Sequence, residues 1–162
     1  MPTTLAPAAV VIRAATPADT PRLVEMALHF LAGTPYGAVL RAHPAALEAL
    51  IEAALSLGVI FVADDAGLLV GMIAVARLPH PVTGDFYADE LVWWVEPDYR
   101  RGSLGPRLIR RAETWARDHD LTLIQMVAPI GTDVGAFYLA CGYVPVETAY
   151  QKTLEARTDG RV

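Results

Sequence analysis

The chain has 162 residues, a formal net charge of −5 and 54% hydrophobic residues. That length and apolar content suit one domain, 1–162, with its own core, and exclude a disordered or low-complexity chain. The acidic balance argues against nucleic acid as the main partner, and no apolar run is long enough for a membrane span.

In chain order, MPTTLAPAA lacks the basic start of a signal peptide, so residues 1–9 read as a loose lead-in. Val10–Arg13 predicts a first strand. Thr16-Pro17 predicts the start of a helix, with Asp19 in the capping-box place and Leu23, Met26, Ala27, Phe30 and Leu31 as its apolar stripe. A second helix spans Pro44–Leu57, with Gly58 as its C-terminal glycine. Val59–Ala63 and Leu68–Leu78 predict a hairpin around Asp64-Asp65-Ala66-Gly67, followed by a rigid loop over 79–84. Leu91-Val92-Trp93-Trp94-Val95 has the β-branched and aromatic content of a buried strand, which Pro97 ends. Leu104, Leu108, Ile109, Ala112, Trp115 and Ala116 repeat at helical spacing. Leu121–Ala128 predicts a strand, Val134–Cys141 a short helix closed by Gly142, and Tyr143–Val146 and Ala149–Leu154 two final strands; 155–162 reads as a polar tail.

The turn Arg100-Arg101-Gly102-Ser103-Leu104-Gly105 joins the Trp-rich strand to the helix after it. A turn that opens a helix points free N–H groups outward, and glycine lets an anion come close to the backbone. Six of the chain's thirteen basic residues (Arg100, Arg101, Arg107, Arg110, Arg111, Arg117) lie in this turn and helix. A local basic patch on an acidic chain suits a small polyanion. The bland alternative is a glycine-containing helix start with a solvated arginine face.

DELVWWV followed by PDYRRGSLGPRLI resembles the pyrophosphate-binding motif of the GNAT superfamily of acyl-CoA-dependent N-acyltransferases, Arg/Gln-x-x-Gly-x-Gly/Ala. Arg100 and Gly105 match; Ser103 stands where the first glycine is usual, and Pro106 has no N–H to offer. FYLACGY at 137–143 resembles the family's second signature, and the resemblance covers residues 10 to 154. It implies the GNAT fold: α/β (α+β), a single mixed central sheet flanked by about four helices, in the order β-α-α-β-β-β-α-β-α-β-β.

The resemblance implies acetyl transfer from acetyl-CoA to a primary amine by direct attack in a ternary complex. The pyrophosphate donors it implies are the N–H groups of Arg101, Gly102, Ser103, Gly105 and Arg107, with Arg100 and Leu104 in the same turn. The Ser103 hydroxyl either caps the helix or meets a phosphate, and the Val95 backbone meets the pantetheine arm as an added strand would.

Glu90 is the candidate base: a carboxylate in apolar surroundings is pushed toward a useful pKa, and alternation puts Val92 and Trp94 on its face. Its other reading is a cap or arginine partner. Asp89, on the opposite face, is the alternate base and an acceptor-side residue. Tyr138 is the candidate acid: a phenol keeps its proton at neutral pH, and its place four residues before Gly142 is that of the general-acid tyrosine the resemblance implies; its other reading is a plain helix-stripe aromatic. Phe30, Tyr36, His43 and the 79–84 loop make the acceptor side that the resemblance implies.

The four histidines show no metal-ligand spacing, so no metal is expected. Cys141, the only cysteine, allows no internal disulfide, fits a cytoplasmic location and reads as a buried thiol. Ser56 and Ser103 are the only serines and neither sits in a nucleophile elbow. The resemblance also implies a homodimer paired through the C-terminal strands, which the edge left by Tyr143 to Leu154 would suit. The competing classes are a non-catalytic acyl-CoA-binding module, a nucleic-acid binder using the arginine helix, and a structural interaction protein.

Overall fold

A computed structural model describes residues 9–154 of the chain. The two expected loose ends fall mainly outside them. The described elements are β1 Val11–Ala14, α1 Thr20–Ala32, α2 Pro44–Leu57, β2 Gly58–Asp65, β3 Leu68–Pro79, β4 Phe86–Val95, α3 Leu104–Asp118, β5 Ile124–Gln125 and α4 Val134–Ala140. They form one five-stranded sheet in the order β1-β2-β3-β4-β5, with β1 to β4 antiparallel and β4-β5 parallel. This is the mixed α/β sheet with four helices that the sequence predicts.

Helix α1 is entered through a 3-10 turn over Pro17–Asp19, where Asp19 accepts the Thr16 N–H at 2.8 Å. Arg13 reaches Asp19 at 2.8 Å and Asp64 at 2.9 Å, tying the helix start to β1 and β2. The β2-β3 hairpin turns through Ala66 and Gly67 at φ 52° and 97°, a two-residue turn whose twist matches the strands. Gly58 follows the last residue of α2, as the sequence suggests, but not in the left-handed conformation of a C-terminal glycine. It opens β2 at φ −164°, and a Cβ there would lie 1.9 Å from the Val75 carbonyl oxygen. Glycine is needed at 58 for a close backbone approach.

The sheet is covered on both faces. Leu23, Met26, Ala27, Ile51 and Ala54 from α1 and α2 pack on Ile60, Val62, Met72, Ala74 and Val92. Leu104, Leu108, Ile109 and Ala112 from α3, with Tyr138 from α4, pack on Phe61, Ala63, Val70, Ile73, Val75 and Val95. Trp115 is half-buried beside Ala88, Ala116 and Leu121 and lies 4.5 Å from the His119 ring.

Three expectations at the C-terminal end are corrected. The strand over Leu121–Ala128 shrinks to Ile124–Gln125, because β5 pairs with β4 only at Ala88 and Asp89. Beyond that point the Val127 N–H donates to the Glu90 side chain instead of a ladder carbonyl. The two strands over 143–154 are not formed; with β5 so short there is no ladder to join, and Pro145 has no N–H to give. The edge on which the homodimer expectation rested is therefore absent among the described residues.

Candidate active site

Strand β4 begins at Phe86, so Glu90 lies in mid-strand and not at its start. The β3-β4 register pairs Val75 with Glu90 and Ala74 with Val92, leaving Leu91 without a partner. This one-residue bulge reverses the alternation that the sequence suggests. Val92 and Trp94 pack on the α1/α2 face, whereas Trp93 and Val95 pack on the α3/α4 face. Glu90 faces α4, on the side of Trp93 and not that of Val92 and Trp94.

The Glu90 carboxylate fills the gap where β4 and β5 part. Its Oε2 accepts the Val127 N–H at 2.9 Å and the Tyr138 hydroxyl at 3.3 Å. Glu90 is 9% exposed. Burial pushes its pKa up to about 7; the charge of Asp89 adds to this, while the Val127 N–H and the Tyr138 hydroxyl pull it back. Burial, then the Glu90 carboxylate, push the Tyr138 hydroxyl well above its ordinary value, so it stays protonated. The two residues expected as base and acid are thus in direct contact. The reading of Glu90 as an arginine partner falls away, since its hydrogen bonds go to Val127 and Tyr138.

Tyr138 is placed by aromatic neighbours. The Trp93 ring lies 5.6 Å away and stacks on Phe137 at 5.3 Å, and the Tyr143 ring lies 5.5 Å away. A Cβ on Gly105 would meet Trp93 Cζ2 at 3.0 Å, so this glycine makes room for an indole as well as opening the helix. The sequence reading did not single out Trp93, Val127 or Tyr143 as site residues. Only Tyr143 carried a signal, the aromatic after Gly142 in FYLACGY.

At the turn, a 3-10 segment Pro97–Tyr99 leads to Gly102 at φ 135°, a conformation that favours glycine. Among the described residues no hydrogen bond takes the N–H of Arg101, Gly102, Ser103, Leu104 or Gly105. Five free donors at the start of α3 fit an anionic group such as a pyrophosphate. Two expected details change. The Arg107 N–H bonds the Ser103 carbonyl at 3.0 Å and leaves the free set, and its guanidinium donates to the Val10 carbonyl at 2.8 Å. Ser103 makes no side-chain cap. Arg100 Nε donates to the Val95 carbonyl at 2.8 Å, and its guanidinium carbon lies 4.4 Å from the Trp94 ring centre. A cleft of about 360 Å³ adjoins the turn between Val10, Asp98, Tyr99, Arg101, Ser103 and Arg107. Glu90 and Tyr138 do not line it.

The acceptor-side residues are not gathered with the pair. Alternation puts Asp89 on the α1/α2 face, half-buried, its carboxyl pushed up by burial. Phe30 packs on the same face, and Tyr36 is 45% exposed. Cys141 is exposed, contrary to the buried thiol expected, because it falls just past the end of α4. Among the described residues no three His, Cys, Asp or Glu side chains gather to hold a metal, and no helix is long and apolar enough to cross a membrane.

Comparison with known proteins fits this geometry. The chain superimposes on a ribosomal-protein-alanine N-acetyltransferase from Brucella melitensis biovar Abortus 2308 with TM-score 0.72 and 20% identity, over 90% of this chain and 99% of that one. An aminoglycoside antibiotic 6′-N-acetyltransferase from Acinetobacter haemolyticus gives 0.70 and 17%, over 90% and 99%. A protein from Clostridium acetobutylicum, described as a predicted acetyltransferase and solved with acetyl-CoA, gives 0.74 and 17%, over 89% and 96%. No curated protein matches the chain. The model of the acetyltransferase (GNAT) family matches residues 25–143, which include β4, the turn, Tyr138 and Tyr143. The chain belongs to the acetyltransferase (GNAT) family and is an acyl-transferring enzyme of the GNAT type.

Proposed function

We propose that the chain moves an acetyl group from acetyl-CoA to a primary amine in a ternary complex, with Glu90 as base and Tyr138 as acid. The observation that carries this is the contact of the buried Glu90 carboxylate with the Tyr138 hydroxyl at 3.3 Å, in surroundings whose burial pushes the Glu90 pKa up to about 7. Acetyl-CoA supplies the acyl group as a thioester. The free N–H groups of Arg101, Gly102, Ser103, Leu104 and Gly105 would hold its pyrophosphate, and the Val95 backbone, whose carbonyl also accepts from Arg100 Nε, would meet its pantetheine arm.

Glu90 takes a proton from the ammonium, so the amine lone pair can form the C–N bond as the C–S bond breaks. The nitrogen loses two protons in all; one ends on the thiol and one leaves to solvent. Tyr138 delivers the proton to the leaving sulfur, and its contact with Glu90 gives that proton a direct path from the base. A pKa near the working pH suits the base, and a protonated phenol suits the acid.

The test is thiol release from acetyl-CoA with a monoamine, a diamine, an aminoglycoside and a peptide with a free N-terminus. Tyr138→Phe is expected to lower kcat by about 10²-fold or more while acetyl-CoA affinity holds. The rate of the unaltered chain should fall below pH ~7 as Glu90 takes up its proton. Acetyl-CoA binding with no thiol release from any amine would sink this reading in favour of a binding module.

A further inference from the structure

Helix α4 carries Tyr138 but has only seven residues, too few to hold itself in water. What fixes it lies just beyond its end. Gly142 turns the chain at φ 90°, and the Tyr143 N–H donates to the Tyr138 carbonyl at 3.0 Å. The Tyr143 hydroxyl donates to Glu113 Oε1 at 3.0 Å, while Arg117 holds the other oxygen at 3.3 Å. Glu113 sits on α3, whose Leu108, Ile109 and Ala112 are fully buried. After Tyr143 the chain lets go: Val144 and Val146 are 74% and 75% exposed.

We infer that Tyr143 is a positioning residue for the reaction, anchored on Glu113, and that it holds Tyr138 at hydrogen-bond distance from Glu90. This rests on the reading of Glu90 and Tyr138 as base and acid. The contact path is continuous: Glu113 on α3, Tyr143, the Tyr138 ring and backbone, then Glu90 on β4. A hydrogen bond to a carboxylate is among the stronger ones, so the Tyr143 hydroxyl suits an anchor. The titratable groups that act on Glu90 are Tyr138 on α4, Tyr143 behind it, and the charge of Asp89, its strand neighbour on the opposite face of β4.

The experiment compares Tyr143→Phe, Glu113→Gln and Tyr138→Phe in the full chain. The first readout needs no substrate: the Glu90 pKa from a carboxyl ¹³C titration. Losing the Tyr138 hydroxyl removes a donor to the carboxylate, so Tyr138→Phe raises that pKa. Tyr143→Phe should raise it part of the way, and Glu113→Gln, which keeps an acceptor oxygen, should raise it less. The second readout is acetyl transfer to the fastest amine of the panel above. Tyr143→Phe should lower kcat about tenfold, ~1.4 kcal/mol of barrier, with the acetyl-CoA KM within about twofold. In a Tyr138→Phe background it should lower kcat no further. An unmoved Glu90 pKa in Tyr143→Phe, beside a raised one in Tyr138→Phe, overturns the positioning role alone. A loss of kcat that adds in full to that of Tyr138→Phe makes Tyr143 merely structural and overturns it too. Tyr138→Phe with unchanged kcat and unchanged Glu90 pKa overturns the underlying reading, and the positioning role with it.

Discussion

The sheet carries two cores that differ in kind. Against α1 and α2 the buried contact is aliphatic, Leu23, Met26, Ile51, Ile60, Val62 and Met72, with Phe30 and Trp94 half-buried at its margin. Against α3 and α4 the same sheet meets Trp93, Phe137, Tyr138 and Tyr143, and it encloses the Glu90 carboxylate. An ionised group out of water is costly unless partners replace its hydration. The aromatic face supplies those partners from outside the strand ladder, the Val127 N–H and the Tyr138 hydroxyl. One face is built for stability and the other gives up some stability for a carboxylate that titrates near neutrality.

The most disruptive way to probe this contrast is on the aliphatic face. Leu23 is fully buried, so Leu23→Ala should cost about 2–5 kcal/mol in urea unfolding. The acid limb of the rate profile should not move with it; a shifted limb would mean the two faces are not separable.

The next effect has the opposite sign. Glu90 is raised in the folded chain from its ordinary 4.5 to about 7. A raised carboxyl favours the folded state below its unfolded pKa, and that contribution is lost as pH climbs through the folded value. Glu90→Gln should therefore stabilise the chain above pH ~7, by up to ~3 kcal/mol for a shift of this size, and by progressively less toward pH 4.5. Melts of both proteins at pH 5 and pH 8 check this, and a variant equally or less stable at pH 8 would show the carboxylate to be well solvated.

The smallest effect separates the two adjacent tryptophans. Trp93 Nε1 and Trp94 Nε1 are both buried, on opposite faces, and neither has a partner among the described residues. Replacing either by Phe removes an unsatisfied donor, so each should change stability by only about 1 kcal/mol. Only Trp93→Phe should slow turnover, by about threefold, or ~0.6 kcal/mol, because only Trp93 touches Tyr138. Equal slowing by Trp94→Phe would blur the contrast.

The sequence reading places helices α1 to α4, the β2-β3 hairpin and the glycine turn before α3 well, because each carries a local signal. Helical stripes, Ala66-Gly67 and Gly102 act within a few residues. Glu90 and Tyr138 could be picked out as candidates, one from its strand and one from the FYLACGY resemblance. Their contact could not, since it depends on the bulge at Leu91 and nothing in DELVWWV marks an extra residue. The same gap hid the early end of β5. The strands expected over 143–154 had the right composition, yet propensity yields where no partner ladder exists.

Most of the sheet is made by strands that follow one another, through a tight β2-β3 turn and a short β3-β4 loop. Glu90 finds its partners elsewhere: Val127 is 37 residues on and Tyr138 is 48. Closing such loops carries an entropic cost that grows as the logarithm of their length. No hairpin keeps the carboxylate and the phenol near each other, so their separation is set by how firmly α3 and the turn after α4 are seated on the sheet.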